Sequence, residues 1–170
     1  MGTLVSASET RVRMLNAAVK SNPKFHVSLC EILKPDISYT YETLNDYYRE
    51  HKESEIFFIM GMDSFKELPT WERYSEFFGM VNIIVCQRSG CEPSAVIDIL
   101  PREVLMDLID QKAGNFQHIS GNWIFVHESQ SFNISSTDIR QRVEFDRSIR
   151  YLVPDEVRSI IKETQLFQRG

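Results

Sequence analysis

The run Ile56-Phe57-Phe58-Ile59-Met60 constrains the fold more than any other stretch of the chain. Every position is apolar, the length is that of a strand, and nothing alternates toward water. Such a run predicts a central parallel strand covered on both faces. Val81-Asn82-Ile83-Ile84-Val85-Cys86 predicts a second buried strand, and Trp123 to His127 a third. Stretches of helical period flank these runs, and alternating strands and helices specify an α/β domain with a mainly parallel sheet. In such sheets the ligand crevice lies beyond the carboxyl ends of the strands.

The helices are read from their starts and their period. Ser8-Glu9-Thr10 opens a helix with Val12, Leu15, Ala18 and Val19 at helical spacing, and Asn22-Pro23 ends it. Tyr39 to Glu50 repeats Leu44, Tyr47 and Tyr48 on one face. Asp63 to Leu68 and Ser75 to Phe78 are short helices separated by a break at Pro69. Pro101 to Lys112 has helical character, and a helix follows Ser135 through Val143. Pro154 to Thr164 closes the chain, with proline suited to the first turn. Phe25 to Ile32 alternates with β-formers and predicts another strand. Arg88 to Pro101 is a turn-rich connection.

With 170 residues, 42% hydrophobic and 25% charged, the chain is long enough for a single globular domain spanning residues 1–170. Its net charge of −5 argues against a broad nucleic-acid face. A cluster of arginine and backbone N–H groups can still hold a small anion. No apolar run approaches the roughly 20 residues of a membrane span. Cys30, Cys86 and Cys91 show no paired metal spacing and suit a reducing cytoplasm.

Asn133-Ile134-Ser135-Ser136-Thr137-Asp138-Ile139-Arg140 is the most chemically suggestive stretch. Three hydroxyl residues at a helix start, followed by an arginine, supply what a phosphate needs: N–H donors, the helix dipole, short hydroxyl donors and a fixed charge. The bland alternative is capping, with Ser135 and Asp138 at capping-box spacing. Gly61 permits close ligand approach after the first apolar run. Asp63 either accepts from ribose hydroxyls or caps the next helix. Trp71 either stacks on a flat heterocycle or fills the core. Ser38-Tyr39-Thr40 opens a helix whose N–H groups suit a carboxylate, with ordinary capping as the alternative. Arg88, at a strand end, reaches a phosphate or solvent. Gly61, Asp63, Arg88 and the Ser135 segment all follow strands, which predicts their convergence. His26, His51, His118 and His127 have no metal or catalytic spacing.

These segments together resemble a known family. Phe58-Ile59-Met60-Gly61-Met62-Asp63 with Leu68-Pro69-Thr70-Trp71 resembles the (F/I)IGxD…LPxW signature of bacterial nicotinate-nucleotide adenylyltransferases. Ser38 to Leu44 resembles the family's SYTxxTL segment, and Val85 to Gly90 its VxxRPG strand end, with Ser89 in place of proline. Ile134 to Arg140 resembles ISSTxIR, and Tyr151 to Pro154 matches YLVP. Arg11 to Asn22 resembles the HRxxML…NP helix, with Thr10 in place of histidine. The matches run in family order over almost the whole chain. The resemblance implies a Rossmann-like nucleotidyltransferase fold that joins ATP and nicotinate mononucleotide, with Mg2+, to give deamido-NAD and pyrophosphate. It implies Trp71 on the pyridine ring, Tyr39 and Thr40 at the nicotinate carboxylate, and Gly61 and Asp63 at the adenosine. Ser136, Thr137 and Arg140 fall at the ATP phosphates, with Arg88 near the nucleotide.

The family opens with a strand, a GGTFDPxHxGH segment whose two histidines hold the triphosphate, and a PPHK loop. None of these motifs is in the 170 residues, so no catalytic residue is assigned. The expectation is a fold without its N-terminal strand or strands, matching roughly the C-terminal three-quarters of the family. Strands left beside an open ladder lose hydrogen bonds worth about 1–3 kcal/mol each, against a net stability of about 5–15 kcal/mol. That predicts poor stability, or self-association through an open sheet edge. The rival to an adenylyltransferase is a non-catalytic nucleotide-binding module of the same descent.

Overall fold

The computed structural model describes residues 8–88, 98–111, 114–129 and 134–168. The chain divides into two compact units, Lys34–Ser131 and Met1–Leu33 with Phe132–Gly170, each taken by itself below.

The Lys34–Ser131 unit is built on a five-stranded sheet. Helix α2 (Thr40–Glu50) precedes β1 (Phe57–Gly61), which runs straight into α3 (Met62–Glu67). Two 3-10 turns, Leu68–Thr70 and Tyr74–Glu76, lead to α4 (Phe77–Met80) and β2 (Asn82–Arg88). Then come α5 (Arg102–Leu105), β3 (Leu108–Asp110), β4 (Phe116–His118) and β5 (Trp123–Ser129). The order is β1-β2-β5-β4-β3. β1–β2 and β2–β5 are parallel, whereas β5–β4 and β4–β3 are antiparallel. The sheet is therefore mostly parallel by paired length, as the apolar runs predict.

One face of the sheet carries Met60, Ile83, Val85 and Ile124 into a core completed by Phe65, Leu68, Phe77 and Phe78. Buried Asn82 ties three strands at their start. Its backbone N–H and Nδ2 both donate to the Ile56 carbonyl, and its Oδ1 accepts from the Trp123 N–H at 2.9 Å. A polar residue inside this apolar stretch survives burial because each of its polar atoms has a partner.

Four sequence expectations need correction here. Ile56–Met60 forms β1, but among the described residues β1 is an edge strand rather than a central one. Ile59 is 65% exposed and Phe57 45%, so the opposite sheet face at β1 is not covered among the described residues. Nor, among the described residues, do two strands face an open gap: β1, β2 and β5 pair directly, and there the open parallel ladder is confined to β1. Phe25–Ile32 forms no strand. Its alternation finds no ladder partner, Phe25 and Ile32 are exposed, and Leu33 N–H turns back to the Leu29 carbonyl. The helix expected over Pro101–Lys112 stops at Leu105, and β3 follows. Glycines at positive φ, Gly114 (76°) and Gly121 (96°), mark the turns on either side of β4. They let the chain fold back as an antiparallel meander, which the parallel expectation did not include.

The second unit packs α1 (Ser8–Val19), α6 (Ser136–Glu144) and α7 (Asp155–Glu163) around Ile139, Ile149, Val157 and Ile161. α1 contributes Met14 and Ala17, while Leu15 stays 51% exposed. Its Arg13 reaches Glu163 of α7 at 2.7 Å. Pro154 sits at the N-cap of α7, one residue before the first-turn position expected of it. No helix among the described residues is long and apolar enough to cross a membrane.

Candidate functional site

The start of α2 and the chain around Trp71 form the two walls of one cavity. It has a volume of about 280 Å³ and is lined by Ser38–Tyr41, Thr70–Glu72 and Phe77. Tyr39 holds the N-cap position with extended backbone (φ −87°, ψ 139°), yet no side chain caps α2. The first N–H groups of an eleven-residue helix are thus left to a ligand or water, with the positive dipole end behind them. The capping alternative for Ser38-Tyr39-Thr40 fails. The Ser38 hydroxyl is shielded from solvent and has no hydrogen-bond partner. An orphaned hydroxyl costs stability unless something else fills its bond.

Trp71 forms the opposite wall and is half-buried. Its ring meets Phe77 (6.0 Å between centroids) and Phe58 (6.5 Å) edge-on. Part of Trp71 packs on the core, and the residue also lines the cavity. Glu72 and Tyr41 line it too, and neither stands out in the sequence as a site residue. Only the tertiary packing reveals them.

A charged cluster adjoins the cavity at Tyr41. Arg73 forms two hydrogen bonds to Glu76, Nε to Oε1 at 2.6 Å and Nη2 to Oε2 at 2.7 Å. The Tyr41 hydroxyl donates to the same Glu76 Oε2 at 3.1 Å, and the Arg73 guanidinium sits 4.0 Å from the Tyr41 ring centre. Hydrogen bonds from Arg73, then from Tyr41, hold the Glu76 carboxyl below its ordinary range despite an opposing desolvation. Arg73 adopts left-handed backbone, φ 52°. That conformation is uncommon for a residue with a Cβ and persists only where its surroundings enforce it. Nearby, the Tyr74 hydroxyl donates to Glu103 at 2.6 Å, which lowers the Glu103 carboxyl and raises the Tyr74 phenol.

Gly61 ends β1 and is the N-cap of α3, with no side-chain cap. A Cβ added there would meet nothing within 4 Å, so the space beside it is open. Asp63 lies in the first turn of α3, exposed, and does not cap it, which removes that alternative. Arg88 is the last residue of β2, its backbone paired in register with Ser129.

The Ser135 segment belongs to the second unit. Ser135 is the N-cap of α6, and its Oγ accepts from the Asp138 N–H at 3.0 Å. Asp138 in turn accepts from Arg142 Nε at 2.8 Å. Capping is therefore correct for Ser135 itself. It leaves Ser136 and Thr137 exposed, with Arg140 Nη2 donating to Ser136 Oγ at 3.3 Å. Ser136 and Arg140 line a largely apolar cavity of about 450 Å³ with Arg11, a second cation that the sequence reading did not single out. Gly61, Asp63 and Arg88 belong to one unit, and Ser136, Thr137 and Arg140 to the other. No group of three or more histidine, cysteine, aspartate or glutamate side chains among the described residues is placed to hold a metal ion.

The mostly parallel sheet with helices between its strands is that of an α/β nucleotidyltransferase, and the cytidylyltransferase-like family matches residues 3–142. The fold is shared with the Plasmodium falciparum nicotinic acid mononucleotide adenylyltransferase solved in complex with APC. The TM-score is 0.66 at 13% identity, covering 97% of this chain and 78% of that one. A probable nicotinate-nucleotide adenylyltransferase of Geobacter sp. (strain M21) is 38% identical over 168 residues, 98% of this chain and 77% of the relative. One from Desulfitobacterium hafniense is 33% identical over 168 residues, 99% of this chain and 75% of the relative. The chain belongs to the nicotinate-nucleotide adenylyltransferase family.

Proposed function

We propose that the chain binds nicotinate mononucleotide and ATP for adenylyl transfer in NAD biosynthesis. The carrying observation is the cavity that brings the uncapped α2 start and the orphaned Ser38 hydroxyl opposite Trp71. A pyridine carboxylate matches the donors on one wall, and its flat ring matches the indole on the other. The ring nitrogen, alkylated by ribose, is cationic, which suits both an aromatic face and the Glu72 carboxylate. In this reading Tyr39 and Thr40 hold the carboxylate and Trp71 stacks on the ring. Gly61 and Asp63 serve the adenosine, while Arg88, Ser136, Thr137 and Arg140 serve the ATP phosphates. Mg2+ enters with ATP as part of that substrate, because the ion keeps phosphate oxygens among its ligands.

The chemistry is a single displacement. A phosphate oxygen of the mononucleotide attacks the α-phosphorus of ATP, and the bond to the β-phosphate oxygen breaks. Deamido-NAD forms and pyrophosphate leaves. The protein positions the two partners and stabilises the leaving charge, with no covalent intermediate. A reducing cytoplasm suits the cysteine usage, and the open ladder of β1 is proposed to pair with a second copy of the chain.

A second reading is binding without turnover. In it the same two walls hold the mononucleotide and no adenylyl transfer follows. Pyrophosphate release from ATP plus nicotinate mononucleotide, measured beside calorimetric binding of each, separates the two. Turnover establishes the transferase. Binding of both ligands without turnover establishes the module. Failure to bind the mononucleotide sinks both.

A further inference from the structure

We infer that Arg73, Glu76 and Tyr41 form a clamp that sets the spacing between the two walls of the cavity, and so act as positioning residues for the acceptor. The inference rests on the acceptor reading of that cavity.

Tyr41 belongs to the α2 wall, one residue after Thr40. Arg73 and Glu76 belong to the segment immediately after Trp71 and Glu72. Two contacts therefore join the walls, the Tyr41 hydroxyl on Glu76 and the guanidinium over the Tyr41 ring, while the Arg73–Glu76 ion pair braces the Trp71 side. The aromatic floor continues the same connection. Tyr41 meets Phe77 at 6.4 Å and Phe77 meets Trp71 at 6.0 Å, so the rings that flank the cavity share one buried support. The Tyr74 N–H donates to the Trp71 carbonyl at 3.3 Å, which ties the tryptophan backbone to the clamped segment.

An exposed ion pair contributes little to stability. Its geometry is nevertheless specific: a two-point guanidinium–carboxylate fork, a third donor on the same oxygen, and left-handed backbone at Arg73 to bring the fork round. Strain of this kind in a cavity-forming segment fits positioning better than bulk stability. Stacking and carboxylate capture act on one rigid ligand from opposite sides, so both contacts form only at one wall spacing.

Arg73→Gly and Glu76→Gln test the clamp. Glycine suits the positive φ, so the first variant keeps the turn while removing the side chain and its guanidinium. Nicotinate mononucleotide and ATP affinities are measured by calorimetry. Acrylamide quenching of Trp71 is measured in a Trp123→Phe background. The clamp predicts that each variant weakens the mononucleotide about fivefold or more, as expected for losing a charged hydrogen bond. It also predicts unchanged ATP affinity and easier quenching of Trp71. Equal loss for both ligands with a fall in melting temperature shows a merely structural role and overturns the inference. Unchanged mononucleotide affinity also overturns it. If the unsubstituted chain binds no mononucleotide, the acceptor reading falls by itself; quenching then decides the clamp, upheld if it rises in both variants and overturned if it does not.

Discussion

Trp71 and Ser38 show how single residues report a site. Trp71→Ala removes a stacking surface worth about 1–3 kcal/mol, so mononucleotide affinity falls roughly tenfold or more while ATP affinity is kept. Parallel titrations of the two ligands check this, and equal losses contradict the stacking role. Ser38→Ala deletes a shielded hydroxyl with no partner. The variant melts no lower than the parent but binds the mononucleotide more weakly, because the hydroxyl serves the ligand and not the fold. A thermal melt beside calorimetry reads both effects. Residues with distinctive chemistry were legible in the sequence: an indole in a break, and a hydroxyl run at a helix start. Glu72, Arg73 and Glu76 were not, because their role depends on a turn that only the packing around Phe77 creates. Ser135 was legible both as cap and as phosphate ligand, and the hydrogen bond to Asp138 resolves it as the cap.

At the scale of elements, apolar runs announced β1, β2 and β5 because a buried strand cannot hide its composition. What they did not announce was coverage. Ile56–Met60 reads as central, yet β1 lies at the edge with Ile59 exposed. β3 and β4, at three residues each, are too short for periodicity, and the positive-φ glycines beside them were the available signal. Phe25–Ile32 has the pattern of a strand without a neighbour to pair with, and pattern alone does not make a ladder. An edge strand with apolar side chains and no proline or lysine invites pairing. Ile59→Lys places a charge on that edge and shifts the chain toward monomer in sedimentation velocity; an unchanged distribution contradicts pairing through β1. In the other unit, Ser135→Ala removes the α6 cap, and its cost of about 0.5–2 kcal/mol lowers the melting temperature.

For the whole molecule, acid should be destabilising. The carboxyls of Glu76 and Glu103 lie below their ordinary value of 4.5 when folded, chiefly through hydrogen bonds from Arg73 and Tyr74. Each contributes stability that is present above the unfolded value and lost as pH falls through the lower folded value. Burial holds His118 below 6.5 against the weaker pull of Asp107, so its neutral form favours folding and its contribution fades as pH falls below 6.5. In all three the unfolded chain binds more protons, and the signs add. The melting temperature therefore drops between pH 7 and pH 4, first through His118 and then through the carboxylates; a flat profile contradicts these pairings. Family membership follows from residues spread along almost the whole chain, and the chain spans about three-quarters of the relatives it matches.

The central claim is that the α2 start and Trp71 receive the pyridine nucleotide. Amide chemical shifts of the 170-residue chain, followed during titration with nicotinate mononucleotide, test it most directly. Binding between these walls gives saturable shifts at Thr40, Tyr41, Trp71 and Glu72 and at the Trp71 indole, with a weaker response to nicotinamide mononucleotide, which lacks the carboxylate. Saturation with those signals unmoved, or equal response to both nucleotides, contradicts it.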